Sequence, residues 1–356
     1  MTKPTVPGAH MRAEILEQPE VLQRLLEHAD AALAPIARIG RACPFAVLAA
    51  RGSSDNASIY GKYLLEGQAG IPAALAAPSL YTLYGTPPRL AGALVIGVSQ
   101  SGAAADVIAV LEAGRRQGAV TLAITNTADA PITRAAEHVL LLKAGPEQAL
   151  AATKTVTAQC AAYAMLVAHM TDHAHLKQQL AGLPDCVREV LTLEPRLAEL
   201  SESLLNEARV VVIGRGYAYG AAHEIALKLK ETCFIEAHAY SAADFLHGPV
   251  AMIEPGYAAI VLLNHDETLE TTAEVIRRIL HQGGQVLCLA TQPAAAALSG
   301  MGNRAALTTL ALGAPPSLLS PIVFIVAGQL LALHLSVRRG HNPDVSRGLT
   351  KVTVTR

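Results

Sequence analysis

The chain has 356 residues, enough for two domains of about 150 residues each. Hydrophobic residues make 51% of it and charged residues 16%, a balance that excludes a disordered chain and predicts a densely buried globular one. A net charge of −1, 4% aromatics and no tryptophan argue against a nucleic acid or a polysaccharide as partner.

In chain order, residues 1–29 read as a helical lead-in. From Phe45 to Glu66 the pattern is strand, Arg51-Gly52, then helix. Leu94–Val98 is an apolar strand, Asp106–Gln117 a helix, and Val120–Thr125 a strand after Gly118. Thr153-Lys154-Thr155 opens an alanine-rich helix over 150–169, and residues 171–199 read as a helical linker broken at Gly182-Leu183-Pro184 and Pro195. The pattern then returns. Arg209–Lys230 is strand, Arg215-Gly216, helix; Ile260–Leu263 is a strand, Thr271–His281 a helix, and Val286–Ala290 a strand after Gly284. Gly52 and Gly216 lie 164 residues apart, Gly118 and Gly284 lie 166 apart, and this agreement marks an internal duplication.

Strands that alternate with helices at this spacing predict parallel sheets wrapped by helices on both faces. The runs VVVIG and AIVLL are unbroken and apolar, as strands covered on both sides must be. The predicted class is therefore α/β, with two tandem three-layer αβα domains of flavodoxin-like form at 30–170 and 200–335. A tail over 336–356 contains a short strand, Val352–Thr355.

The mean hydropathy is positive, +0.33. The most apolar stretch, Pro321 to Leu335, is shorter than the ~20 residues of a membrane span and carries Gln329 and His334, so it predicts a helix buried in protein with Pro321 near its first turn. The opening MTKPTVPGAH has no signal layout. Cys43, Cys160, Cys186, Cys233 and Cys288 are odd in number and never form a C-x-x-C pair, which fits reduced thiols in a cytoplasm rather than disulfides or zinc.

The densest chemistry lies between His223 and Pro249. On a helix, Glu224, Lys228 and Glu231 share one face, with Ala226, Leu227 and Leu229 around them, and His247-Gly248-Pro249 follows. Two carboxylates, a lysine and a histidine can serve proton transfer on a small polar substrate. The plain alternative is an ion-pair stripe on a wet face, worth a few tenths of a kcal/mol. Ser99-Gln100-Ser101-Gly102 sits between a strand and a helix, where an open parallel sheet binds ligands and a helix N-terminus offers amides to an anion. It is either a phosphate pocket or an ordinary capped helix start. Gly52-Ser53-Ser54 occupies the matching loop after the first strand, with the same two readings. Lys154 opposes the helix dipole at its position, through a nearby anion or simply as a solvated side chain. No P-loop, G-x-G-x-x-G or G-x-S-x-G pattern is present, which disfavours nucleotide binding and a hydrolase triad. The histidines lack metal-ligand spacing with carboxylates.

Taken in order, R-G-S-S, S-Q-S-G, A-T-K-T-x-T-x-Q, G-R-G…E-x-A-L-K-L-K-E…H-G-P and a terminal L-x-K-V-T-V resemble the paired sugar-isomerase (SIS) domains of glucosamine-6-phosphate synthase and its relatives, over roughly residues 30–356. A catalytic cysteine at the N-terminus, as in the synthase's glutaminase domain, has no counterpart; the first cysteine is Cys43. The expectation is thus a stand-alone member, such as the type II glucosamine-6-phosphate deaminases. The resemblance implies that Glu231 shuttles a proton between C1 and C2, and that His247 assists ring opening from the neighbouring subunit of a homodimer with shared sites. It implies a Schiff-base role for Lys351 and supporting roles for Glu224 and Lys228. Gly52, Ser53, Ser54, Ser99, Gln100, Ser101 and Thr153 would hold the sugar phosphate. The expected reaction converts glucosamine 6-phosphate to fructose 6-phosphate and ammonia, with no metal or organic cofactor. Alternatives are a fructosamine-phosphate deglycase, ammonia-dependent synthesis, and a non-catalytic sugar-phosphate sensor. The pattern departs from the family at Ala103 and Ala104 (for S-Q-S-G-E-T), at Ala152 (for S-T-K) and in the tail NPDVSRGLTK.

Overall fold

The computed structural model describes residues 6–298, 306–345 and 347–348. They fall into two compact units: a first unit, Glu17–Pro184, and a second unit made of residues 6–16 with Asp185–Val345. The chain opens with α1 (Ala9–Leu16) in the second unit. The first unit then comprises α2 (Gln18–His28), α3 (Asp30–Gly40), β1 (Ala46–Ala49), α4 (Ser53–Gly67), β2 (Ala73–Leu75), α5 (Ser79–Thr82), β3 (Leu94–Ser99) and α6 (Ala105–Arg116). It closes with β4 (Val120–Thr125), α7 (Pro131–Ala135), β5 (His138–Leu141), α8 (Lys154–Met170) and α9 (Ala174–Ala181). The second unit continues with α10 (Leu183–Leu191), whose first two residues still belong to the first unit, α11 (Glu194–Leu200), β6 (Arg209–Gly214), α12 (Tyr219–Cys233), β7 (Glu236–Ser241) and α13 (Ala242–Leu246). After these come β8 (Ala258–Leu263), α14 (Leu269–His281), β9 (Gln285–Ala290), α15 (Gln292–Ala297), β10 (Leu307–Ala311) and α16 (Ser320–Arg338).

Both sheets are parallel throughout, ordered β2-β1-β3-β4-β5 and β10-β9-β8-β6-β7. The second order is the first one repeated, so the duplication seen in the sequence is a duplication of topology. Every residue of β3 and of β8 is buried, as strands covered on both faces require. In each sheet the chain reverses its direction of travel between the first and third strands, and the loops leaving their carboxyl ends flank the crevice where such sheets bind ligands.

Helices pack closely where glycine permits it. A Cβ on Gly61 of α4 would lie 2.6 Å from the Tyr163 ring of α8, and one on Gly328 of α16 would lie 2.3 Å from Ile225 Cγ1 of α12. The latter contact seats α12, which carries Glu224, Lys228 and Glu231, directly on α16. α16 runs 19 residues, longer than its most apolar stretch, and is long and apolar enough to cross a membrane by composition; yet 89% of its apolar window is buried inside the protein. Its first turn carries Pro321, where a missing N–H costs no helical bond.

The residues before β1 do not act as one segment. Asp344 accepts from the amides of His10 and Met11 at 2.9 Å each, and Asn342 accepts from that of Gly8 at 3.0 Å, which ties the start of α1 to the second unit. Arg12 donates two bonds to Glu194 (2.7 and 2.8 Å), and His334 lies 3.0 Å from the same carboxylate. Burial pushes the Glu194 pKa up, but Arg12 and His334 more than offset it and the net shift is downward. The residues read as a linker also divide, α9 going with the first unit and most of α10 and α11 with the second. Three helix starts differ from the sequence reading: α6 begins at Ala105 rather than Asp106, α8 at Lys154 rather than 150, and α14 at Leu269 rather than Thr271. The strand expected at Val352–Thr355 lies outside the described residues.

Candidate active site

In the first unit the loops after β1 and β3 open side by side, because those strands are hydrogen-bonded neighbours. The first loop turns at Gly52 with φ 55°, a left-handed conformation that disfavours any residue with a Cβ, and α4 starts at Ser53. Open space surrounds that turn, since a Cβ there would meet nothing within 4 Å. The second loop is braced from within. Ser99 Oγ accepts from the Gly102 amide at 3.1 Å, Ser101 Oγ accepts from the Ala103 amide at 3.4 Å, and the Gln100 carbonyl accepts from the Asn126 amide at 3.1 Å. Gly102 (φ 67°) presses so close to Ala130 that a Cβ would lie 2.4 Å from the alanine's own.

Neither helix start carries a side-chain cap: Gly52 precedes α4 and Ala104 precedes α6, each without a capping bond. A residue such as threonine at 104 would ordinarily fill that role. The reading of these loops as capped helix starts is therefore corrected. Ser99 and Ser101 accept backbone bonds and donate their O–H to no acceptor among the described residues, which leaves both donors for a ligand.

Thr153 behaves differently. It is fully buried, and both its amide (2.9 Å) and its hydroxyl (3.4 Å) are given to Glu147, which also accepts from the amide and hydroxyl of Thr155 at 3.1 and 2.8 Å. The protein's own carboxylate thus fills the N-terminus of α8, the place a phosphate would take. Lys154 is not a solvated side chain; it is buried and pairs with Glu17 at 2.5 Å. The anion hinted at by its position is Glu17. Sequence reasoning missed Glu147 because it lies in a loop six residues ahead of Thr153, outside local capping spacing.

In the second unit, α12 carries Glu224, Lys228 and Glu231 on one face, but that face is dry. The side chains of Glu224 and Lys228 are 0% and 1% exposed, and only Glu231, at 26%, reaches solvent. Lys228 Nζ lies 2.6 Å from Glu231 Oε2 and 3.3 Å from Glu224 Oε1. Burial pulls the lysine's pKa down, and the two carboxylates more than reverse this, so the ammonium is held charged. The wet-stripe reading fails, because a buried cation clamped by two carboxylates is an interior network. His247 ends α13, is exposed, and its ring makes no hydrogen bond among the described residues. Lys351 lies outside the described residues.

The arrangement has a family signature. The SIS domain profile matches residues 44–169 and 203–338, once on each sheet. The chain is 36% identical, over 97% of its length, to a glutamine–fructose-6-phosphate aminotransferase (isomerizing) of Methanothermobacter thermautotrophicus, and covers 57% of that relative. It likewise spans somewhat more than half of the other curated relatives it matches. A candidate phosphosugar isomerase from Silicibacter pomeroyi superposes with a TM-score of 0.85 at 31% identity, covering 95% of this chain and all of that one. The C-terminal domain of a glucosamine-fructose-6-phosphate aminotransferase from Francisella tularensis gives 0.84 at 27% identity, covering 95% and 98%. With both sheets matched and nearly the full length aligned to such relatives, the chain belongs to the SIS domain family.

Proposed function

We propose that the chain is a phosphosugar isomerase that acts on an amino sugar, converting glucosamine 6-phosphate to fructose 6-phosphate and ammonia. The observation that carries this reading is the α12 network: Lys228 and Glu224 are sealed from water, and Glu231 alone remains accessible. A carboxylate held by a buried ammonium and open on one side is a positioned proton carrier, and such positioning contributes about 10²–10⁴ in rate. Glu231 takes the C2 proton of the open-chain aldehyde and returns it to C1. O1 is protonated as the carbonyl becomes a hydroxymethyl group, and the amine-bearing carbon becomes a ketimine. Water adds to that carbon, the C–N bond breaks, and ammonia leaves. The substrate's own carbonyl is the electron sink.

Phosphate binding is assigned to Ser53, Ser54, Ser99, Gln100 and Ser101, supported by the uncapped starts of α4 and α6 and by the undirected hydroxyl protons of Ser99 and Ser101. Thr153 is left out, since Glu147 holds it. His247 is assigned ring opening, acting from a second subunit of a homodimer, and Lys351 an imine exchange with the keto sugar; both roles rest on the family resemblance.

The test is incubation of purified protein with glucosamine 6-phosphate, assaying ammonia and fructose 6-phosphate together. Both products in equal amounts support the reading; neither product, with turnover of a fructosamine phosphate, replaces it with deglycation. A second reading has its own support in the 36% identity to an aminotransferase: the same steps run in reverse, aminating fructose 6-phosphate with ammonia. Glucosamine 6-phosphate formed from fructose 6-phosphate and ammonium at a rate well above that of ammonia release in the forward assay would select it.

A further inference from the structure

The phosphate loops carry an electrostatic problem that the serines do not solve. Asp55 stands in the first turn of α4 and Asp106 in the first turn of α6. Acids there suit the helix dipole, but both flank the crevice assigned to a phosphate dianion, and like charges repel it. Asp106 is 1% exposed and its Oδ1 accepts from the Val107 amide at 2.9 Å, so it is a fixed part of the wall.

Arg51 stands between them. Its Nε donates to Asp106 Oδ2 at 2.7 Å, a bond that joins the loop after β1 to the helix after β3 across the crevice. It also interacts with Asp55, whose pKa burial pushes up and Arg51 draws partly back. The arginine side chain is 52% exposed, and its two terminal nitrogens make no hydrogen bond among the described residues.

The second unit supplies an internal control. Arg215 follows β6 as Arg51 follows β1, yet it forms no ion pair among the described residues. The loop after β8 is filled instead by Asp266, which accepts from the Thr268 amide and hydroxyl at 2.9 and 2.6 Å. An arginine after the first strand occurs in both units, but only where the crevice is open does it brace the two loops.

We propose that Arg51 is the positioning residue of the phosphate crevice: it neutralises Asp106 and Asp55, holds the two loops at a fixed separation, and turns its free guanidinium edge to the anion in place of the donors absent at Ala103 and Ala104. This rests on the reading of the loops as a phosphate site. A guanidinium is suited to the task, because one edge can serve a carboxylate while the other serves a phosphate.

The experiment is calorimetric titration with fructose 6-phosphate, which needs no turnover, of wild type, Arg51→Gln, and Arg51→Gln combined with Asp106→Asn. Loss of the charge and its free edge should weaken binding about tenfold or more, the scale of a lost hydrogen bond between charged groups. Removing the Asp106 charge that Arg51 no longer neutralises should then recover about threefold or more. Unchanged affinity in Arg51→Gln overturns the proposal. So does a double variant no better than the single one, because a purely mechanical brace is broken equally in both. Should Arg51→Gln fail to fold, Arg51→Lys decides: a lysine keeps the charge but has no second edge for the phosphate, so affinity should fall about threefold or more, and unchanged affinity would overturn the role of the free edge. A wild type that binds neither fructose 6-phosphate, glucosamine 6-phosphate nor inorganic phosphate sinks the phosphate reading itself, which separates that failure from a failure of Arg51.

Discussion

The two sheets have the same strand order, and each ends in two loops beside its reversal point, yet the loops differ in what they leave unsatisfied. In the first unit, Gly52 and Ala104 give α4 and α6 no side-chain cap, and hydroxyl donors remain undirected. In the second, α14 also starts without a side-chain cap, but Asp266 ahead of it accepts from the Thr268 amide and hydroxyl and is itself held by the Asn264 amide at 2.7 Å. The second unit's unusual feature is a helix face with a sealed lysine between two acids. The duplicated scaffold therefore differs between its copies: in one, Arg51 spans two loops whose helices start without a side-chain cap, and in the other, Asp266 fills the loop after β8 and α12 carries a buried ion network.

The sharpest way to break this comparison is to disable each unit separately. Glu231→Gln should lower kcat by about 10²–10⁴ while fructose 6-phosphate still binds; Ser99→Ala should raise KM with a much smaller change in kcat. Steady-state kinetics and calorimetry on both variants decide it, and an active Glu231→Gln enzyme would remove proton transfer from the second unit.

Next in size is the network itself. Lys228→Met strands Glu224 in the interior and should cost about 3–5 kcal/mol of stability by urea unfolding. Replacing Glu224 by Gln in the same chain should recover part of that loss. If the double variant is no more stable than the single one, the cost is not that of an uncompensated charge.

Asp266→Ala should cost about 1–3 kcal/mol, the scale of lost hydrogen bonds to a charged acceptor, and leave KM for the phosphosugar unchanged. A raised KM would show that the second unit's loop takes part in substrate binding after all.

The smallest effect is one of pH on the second unit alone. The folded-state pKa of Glu194 lies below its unfolded value because of Arg12 and His334, so its contribution is present above the unfolded carboxylate pKa and fades as pH falls through the folded one. The stability difference between wild type and Glu194→Gln should shrink as pH falls below about 4.5, the ordinary value for this group. A difference that persists unchanged at pH 3 would contradict the assignment.

Much of this molecule was legible in one dimension. Runs such as VVVIG and AIVLL mark strands covered on both faces, and the repeated Arg-Gly after a strand marks the duplication, because periodicity and backbone freedom are local properties. Glu224, Lys228 and Glu231 could be placed on one helix face from spacing alone. That the face is dry could not, since the same spacing serves a solvated ion-pair stripe equally well; the close approach of α16 at Gly328 is part of what seats α12 in the interior.

The sequence by itself determined the α/β class, the twofold repeat and the residue types that carry chemistry, since hydrophobic period and turn glycines act over a few residues. Only the tertiary structure decided which charged partners meet at these helix starts. Glu147 reaches α8, Arg51 reaches Asp106 across 55 residues of chain, and Asp344 reaches α1 from the far end. Those choices depend on which distant segments share a neighbourhood, and Coulomb interactions between side chains are governed by distance in space rather than along the chain.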